Sequence, residues 1–187
     1  HWSFPLIVWV PVVFYCWWKA LFYFQFPLLS TIGLFLVGLF IWPFSEYVLH
    51  RFVFHFHPTS EWGQKLHFVM HGVHHDYPND SKRLVMPPIL SILIAIPFFA
   101  LYYYGFGGEG ATYAAFSGMV VGYLCYDMLH YAVHHAKWKN SYFENLKKAH
   151  MAHHFVHPDQ VYGVSSNFWD YVFGTTLEKA RKDKESE

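Results

Sequence analysis

Four apolar stretches, each long enough to cross a bilayer as a helix, dominate the sequence and leave few ways to fold it. They run near Phe4–Phe24, Leu28–Phe44, Pro87–Tyr104 and Ala111–Leu129; a hydrocarbon core takes roughly 17–25 helical residues to cross. Pro5, Pro11 and Pro97 fall inside them, which membrane helices tolerate where neighbours satisfy the freed backbone groups. Trp2, Trp17, Trp18, Trp42, Tyr102 and Tyr103 gather toward the span ends, the depth that aromatic rings favour. The alternative is a soluble protein with four core helices. Only 14% of the 187 residues are charged, too few to clothe such a core.

The connections are unequal. Gln25–Pro27 and the glycine-rich Gly105–Gly110 are short and contain no Lys or Arg. The segments after the second and fourth spans are long and polar, and together with the C-terminal tail they hold every basic residue except Lys19. Positive charge marks the cytoplasmic side. Two spans separate these segments, so both are expected to emerge on that side. The expected fold is all-α and integral to the membrane, with four transmembrane helices in two hairpins. A cytoplasmic helical cap from residues 45–86 and 130–178 sits on them, within one domain covering 1–187. The tail 179–187, KARKDKESE, is expected to be disordered.

The cap segments carry most of the fifteen histidines. One set is His50, His55, His71, His74 and His75; the other is His130, His134, His150, His153 and His154. Each is a pair followed by an HxxHH triplet, with sixteen residues from the last histidine of the pair to the triplet both times. That duplicated spacing reads as an internal repeat of hairpin, pair and triplet. In a helix, positions i, i+3 and i+4 fall within an arc of roughly 100°, so each HxxHH can aim three imidazoles from one face. His130 and His134 share a face as well. His50 and His55 are five apart, and a regular helix would make them diverge; one must lie past a helix end or in a distorted turn.

Buried imidazoles need partners for their nitrogens, and neutral imidazole suits iron, zinc, copper and nickel. Ten ligands are too many for one ion and enough for two with about five each, so a histidine-ligated dimetal centre is expected. All-nitrogen ligation of two ions fits redox-active iron better than a hydrolytic zinc site with three protein ligands, although zinc could occupy the same positions. His57, His67, His135 and His157 fall outside the repeat and read as supporting or surface residues, with His135 a substitute ligand. Glu46, Asp127 and Asp170 could orient ligand imidazoles through their free N–H groups.

Other chemistries find little support. Net charge is +0, which gives no support for a nucleic-acid partner, and none is expected. GFGGEG at 105–110 lacks a following GK[ST] and reads as a turn. Cys16 and Cys125 form no CxxC pattern and read as small buried hydrophobes. A transporter would place polar ligands at the bilayer midplane, and no Asp, Glu or His occupies a span centre.

Five segments carry a resemblance: EYVLHRFVFH (46–55), HGVHHDYPNDSKRLVMPP (71–88), GYLCYDMLHYAVHH (122–135), NLKKAHMAHH (145–154) and GVSSNFWDYVFGT (163–175). In this order they resemble the fatty acid hydroxylase and sterol desaturase superfamily, and RLVMPP favours its fatty acid 2-hydroxylase branch. The resemblance implies four membrane helices and a di-iron monooxygenase whose ten histidine positions are filled by the two sets above. It implies O2-dependent hydroxylation at carbon 2 of long-chain fatty acids or of the fatty-acyl groups of sphingolipids, with O2 as co-substrate. The substrate is then a membrane lipid, and the location is the endoplasmic reticulum in a eukaryote or the inner membrane in a bacterium. No HPGG haem motif occurs, so electrons are expected from a separate donor, cytochrome b5 or a ferredoxin-like protein with its reductase. Tyr123, Tyr126 and Asp127 lie one or two turns before His130; they could contact the substrate's polar end, with ordinary helix packing the competing account. A sterol or carotenoid oxidase or desaturase of the same superfamily is the alternative enzyme. A metal-binding membrane protein without catalysis is the alternative outside enzymes.

Overall fold

A computed structural model describes residues 1–185, with side chains through residue 182, and within them the chain is helical with no strand. Helix α1 covers Phe4–Trp18 and continues through a π-helical turn, Lys19–Tyr23. Helix α2 covers Leu28–Val48 and runs on as a π-helical segment, Leu49–Phe54. Helix α3, Glu61–His67, passes through a π-helical turn at Phe68–Gly72 into the short α4, Val73–Asp76. Helices α5 (Pro88–Phe106) and α6 (Glu109–His135) follow, then α7 (Ser141–Phe155), α8 (Phe168–Phe173) and α9 (Leu177–Glu185).

Among the described residues, three helices are long and apolar enough to cross a membrane: Phe4–Tyr23, Leu28–Phe54 and Pro88–Phe106. The second reaches ten residues beyond the span expected from the sequence, because helix continues without a break into the first histidine pair. Helix α6 covers the fourth expected span but does not join these three. The reason is visible in its residues. Thr112, Ser117, Gly118, Gly122 and Asp127 lower its hydropathy, and Ala114, Ala115, Ser117 and Val120 are almost fully enclosed by protein. By contrast Ile7, Phe14, Phe40 and Leu93 point outward, the distribution expected of helices that meet lipid rather than water.

The chain divides into two compact units, residues 1–42 with 86–127 and residues 43–85 with 128–187. In the first, the α2 and α6 backbones pack against each other at glycine. A Cβ on Gly38 would meet the Ala115 carbonyl oxygen at 1.8 Å, and one on Gly118 would meet the Phe35 carbonyl oxygen at 1.8 Å. Trp9 Nε1 donates to Ser91 Oγ at 3.0 Å, joining α1 to α5. Cys16 is buried as expected, but Cys125 is exposed on the outward face of α6.

The second unit contains all ten histidines of the two sets. Two of its helices, α3 and α7, start at side-chain caps: Ser60 accepts from the Gly63 N–H, and Asn140 from the Phe143 N–H, supplying donors' partners that a helix start otherwise lacks. The expected disordered tail is helical through Glu185, with the Thr176 hydroxyl accepting from the Lys179 N–H and an i,i+4 ion pair between Glu178 and Lys182. Residues 186–187 of that expectation lie outside the described residues.

Candidate metal centre

The first histidine pair is brought together by the π-helical segment that ends α2. There the His55 N–H bonds the His50 carbonyl at 3.2 Å, an i→i+5 closure. That wider turn stacks residues five apart, so both rings reach the same place despite a spacing that a regular helix would splay. His71 lies in the second π-helical turn, just before α4. The other pair, His130 and His134, needs no such device, since it sits four apart on the regular α6.

All ten histidines converge, in two groups. His50, His55, His71, His75 and His153 form one; His74, His130, His134, His150 and His154 form the other, and within each the nitrogens lie within 4.8 Å of one another. The groups are not the two sets read from the sequence. Each HxxHH sends its first and last histidine to one group and its middle histidine, His74 or His153, to the other. The position three residues along points about 80° away from the direction midway between i and i+4, which is enough to cross over when the two triplets lie side by side.

The two groups otherwise match position by position. His71 Nε2 lies 3.2 Å from His50 Nε2, 3.2 Å from His55 Nε2 and 2.9 Å from His75 Nε2. His150 Nε2 lies 3.0 Å from each of the Nε2 atoms of His130, His134 and His154. The repeat in the sequence is therefore also a repeat in space.

Three nitrogens crowded on one cannot be satisfied by protons alone. His50 Nδ1 faces the Tyr162 carbonyl oxygen at 2.5 Å and His153 Nδ1 faces that of Gln160 at 2.7 Å. A carbonyl only accepts, so each Nδ1 carries the proton and each Nε2 of the neutral ring is a bare lone pair. His153 Nε2 and both nitrogens of His74 are buried without a hydrogen-bond partner, a costly state for polar atoms. Burial first, and then the charge of neighbouring rings, pushes His55 and His74 down to about 2 and His75 to about 4. Burial likewise holds His134 and His153 at about 4 and His71, His150 and His154 well below the usual imidazole range. At neutral pH these rings are uncharged and their lone pairs are free to bind a cation. The donor set fits metal ions, and all-imidazole ligation suits iron, zinc, copper or nickel.

The three carboxylates do not touch the imidazoles as expected. Glu46 Oε1 accepts from the Val164 and Ser165 N–H groups at 2.6 and 2.8 Å, and Glu46 Oε2 accepts from the Ser165 hydroxyl. Asp170 Oδ1 accepts from the Tyr162 N–H and the Thr175 hydroxyl, each at 2.8 Å, and Oδ2 accepts from the Gly163 N–H at 2.9 Å. Both therefore hold the loop that supplies the Gln160 and Tyr162 carbonyls. The bare spacing gives no hint of those carbonyls, since backbone acceptors leave no residue-type signal; the GVSSNFWD segment was the one available trace. Asp127 accepts from the Tyr123 hydroxyl at 3.2 Å and from the Met86 N–H. The Tyr123 and Tyr126 rings pack on Trp42, so these three candidates are all buried within the first unit.

Among the remaining histidines, His67 Nε2 bonds the Phe54 carbonyl at 2.6 Å, next to His55. His57 lies beside His67. His135 belongs to neither group and lies against Tyr131. His134 bonds the Pro78 carbonyl.

The sequence model of the family described as fatty acid hydroxylase matches residues 35–175. A dihydroceramide fatty acyl 2-hydroxylase of Arabidopsis thaliana is 39% identical over 185 residues, covering 98% of this chain and 77% of that protein. A ceramide very long chain fatty acid hydroxylase of Saccharomyces cerevisiae is 42% identical over 179 residues, covering 94% of this chain. A fatty acid 2-hydroxylase of Mus musculus is 38% identical over 191 residues, covering 91% of this chain. The chain spans about half of these last two relatives, 45% and 51% of their lengths. Among solved structures, full-length scs7p with only its hydroxylase domain visible matches with a TM-score of 0.88 and 41% identity, over 96% of this chain and 67% of that one.

Proposed function

The chain belongs to the fatty acid hydroxylase family, and from that premise we propose its reaction as 2-hydroxylation of the fatty acyl groups of sphingolipids. It is an enzyme, with relatives named as dihydroceramide fatty acyl 2-hydroxylase, ceramide very long chain fatty acid hydroxylase and fatty acid 2-hydroxylase along nearly the whole of its length. The observation that carries the proposal is the convergence of ten imidazoles in two matched groups of five.

The ten histidines are the ligands of two metal ions, with iron the native metal and zinc able to occupy the same positions. His50, His55, His71, His75 and His153 hold one ion; His74, His130, His134, His150 and His154 hold the other. Bound iron would supply the activation of O2, which leaves one oxygen atom on carbon 2 and, with two electrons and two protons, the other as water. The protein's part is to present uncharged imidazoles in fixed orientation and to keep the acyl chain's carbon 2 within reach. The electrons come from a separate donor, a cytochrome b5 or ferredoxin-like protein with its reductase.

The substrate is a membrane lipid, and the outward-facing apolar helices support a chain embedded in the bilayer. In this reading α6 is the fourth span, the helices form two hairpins, and the histidine-bearing segments make a cap on the cytoplasmic side. The location of every Lys and Arg except Lys19 in those segments or the C-terminal tail supports the orientation. Tyr123, Tyr126 and Asp127 contact the polar end of the substrate, supported by their place on the helix that carries His130.

The test is expression with a competent reductase followed by identification of the lipid products. The wild-type chain is expected to yield 2-hydroxyacyl sphingolipids, and His71→Ala or His150→Ala to abolish them. Each of these two removes the nitrogen that three others surround. Undiminished product from either variant sinks the assignment, and desaturated or sterol products would move it to another branch of chemistry.

A further inference from the structure

A loop between α7 and α8 carries two of the contacts that fix ligand rings in the first histidine group. The Gln160 carbonyl accepts from His153 Nδ1, and the Tyr162 carbonyl accepts from His50 Nδ1. Between them stands Val161, buried and at φ +62°, a left-handed conformation that a β-branched side chain rarely adopts. Such a turn persists where its surroundings over-determine it. Here the surroundings are specific. The Val161 N–H bonds the Thr175 carbonyl at 2.8 Å. The next two N–H groups bond Asp170, and the two after those bond Glu46. Four successive backbone donors, residues 162 to 165, thus end on two buried carboxylates.

A chain of hydroxyls ends on the same carboxylate. Arg51 Nη1 donates to Tyr47 Oη at 2.8 Å, Tyr47 Oη lies 3.0 Å from Thr175 Oγ1, and Thr175 Oγ1 donates to Asp170 Oδ1. Arginine can only donate and an ionised carboxylate can only accept, so every hydroxyl in this chain points toward Asp170. The Tyr162 and Gly163 N–H groups and the Thr175 hydroxyl thus all donate to Asp170, whose carboxylate serves as an acceptor.

We propose that Asp170 and Glu46 are positioning residues for the first metal: they pin the 160–165 loop so that its carbonyls hold His50 and His153 with Nε2 unprotonated and aimed at the ion. The proposal rests on the two-ion reading above and adds to it a selectivity between the ions. In the second group, His134 takes its carbonyl from outside this loop, at Pro78. Loss of the pin should therefore weaken one ion and spare the other. Supporting residues behind metal-bound histidines typically change affinity by about 10- to 100-fold.

Hydrogen-bond polarity gives the test its edge. In Asp170→Asn one oxygen becomes an NH2 group that must face a backbone N–H or the Thr175 hydroxyl proton, so the pin fails with no change in size. In Glu46→Gln the oxygen can still accept from Val164 and Ser165, while the NH2 group donates to Ser165 Oγ, so the pin survives the loss of charge. Glu46→Leu removes it.

The experiment is zinc binding to the full chain in detergent, read as metal per chain after dialysis and as helix content by circular dichroism. The expected pattern is two zinc ions for the wild type and for Glu46→Gln, and one for Asp170→Asn and Glu46→Leu. Adding His134→Ala to Asp170→Asn should remove the remaining ion, and adding His55→Ala should not. Two ions retained by Asp170→Asn overturn the proposal, as do equal loss of both ions or a Glu46→Gln variant that loses as much as Glu46→Leu. If Asp170→Asn loses its helix content, the Glu46 pair decides alone. A wild-type chain that holds no second ion overturns the two-ion reading itself, a result distinct from any variant's behaviour.

Discussion

Single residues in the 160–165 loop bear more of the site than their chemistry suggests. Gly163 has no side chain with which to ligate or bond, yet a Cβ there would lie 2.1 Å from the Ser166 carbonyl oxygen and 2.7 Å from Asp170 Oδ2. The first is backbone and the second already accepts from the Gly163 N–H, so neither can yield without undoing the loop. Gly163→Ala is expected to cost about 1–3 kcal/mol, the range for overpacking a filled site, and to lower zinc retention at the first group. Gly105 is the matched control. It lies inside α5 with nothing within 4 Å of an added Cβ, where alanine should be neutral or stabilise by up to ~1 kcal/mol. Thermal unfolding of both variants in detergent checks the pair. A Gly163→Ala protein that melts with the wild type would show the loop is softer than its bonding implies.

At the scale of elements, helix contacts in the first unit depend on absent side chains. Gly38 and Gly118 let α2 and α6 approach until backbone meets backbone, and Gly122 receives the Trp42 side chain. Between helices in lipid, where apolar burial gains little, such close packing supplies much of the association. Gly118→Val would set a branched side chain into the Phe35 carbonyl and is expected to abolish the folded protein or to cost at least ~3 kcal/mol. Size-exclusion profile and zinc retention in detergent read the outcome. Gly118 and Gly122 stand four apart in the sequence, but that spacing does not say which helix they face. Three of the spans were legible because long apolar runs leave no other reading. The extension of α2 through Phe54 was not, since the π-helical segment takes no special residue type and reveals itself only in the His55-to-His50 closure. The ten histidines were legible as a count and a repeat, but the exchange of His74 and His153 between the two groups was not. The role of Glu46 and Asp170 in holding backbone rather than imidazole was not, because it depends on which carbonyls the loop turns inward.

For the second unit as a whole, the exchange of His74 and His153 has a consequence for assembly. Neither chain segment completes a group by itself: residues 43–85 provide four ligands of one group and one of the other, and residues 128–187 do the converse. An ion held by either group would therefore tie both segments together, and an ion that binds the folded form alone stabilises it by about 4 kcal/mol at a thousandfold excess over its dissociation constant. Chelation of both ions should lower the unfolding temperature of the loaded protein, and each single-site loss should lower it part of the way. The crossing makes the sign of the coupling between variants a test. Mutations that damage one ion's site are non-additive with each other, while those at separate sites nearly add. By sequence motif His153 belongs with His154; by geometry it belongs with His55. His153→Ala is expected to show little further loss of zinc when combined with His55→Ala and to lose the second ion when combined with His154→Ala. The mirrored pairings, His74→Ala with His134→Ala and with His75→Ala, should follow the same rule. Coupling along the motifs instead would mean that each HxxHH keeps its three histidines on one ion, and that the crossed arrangement is wrong.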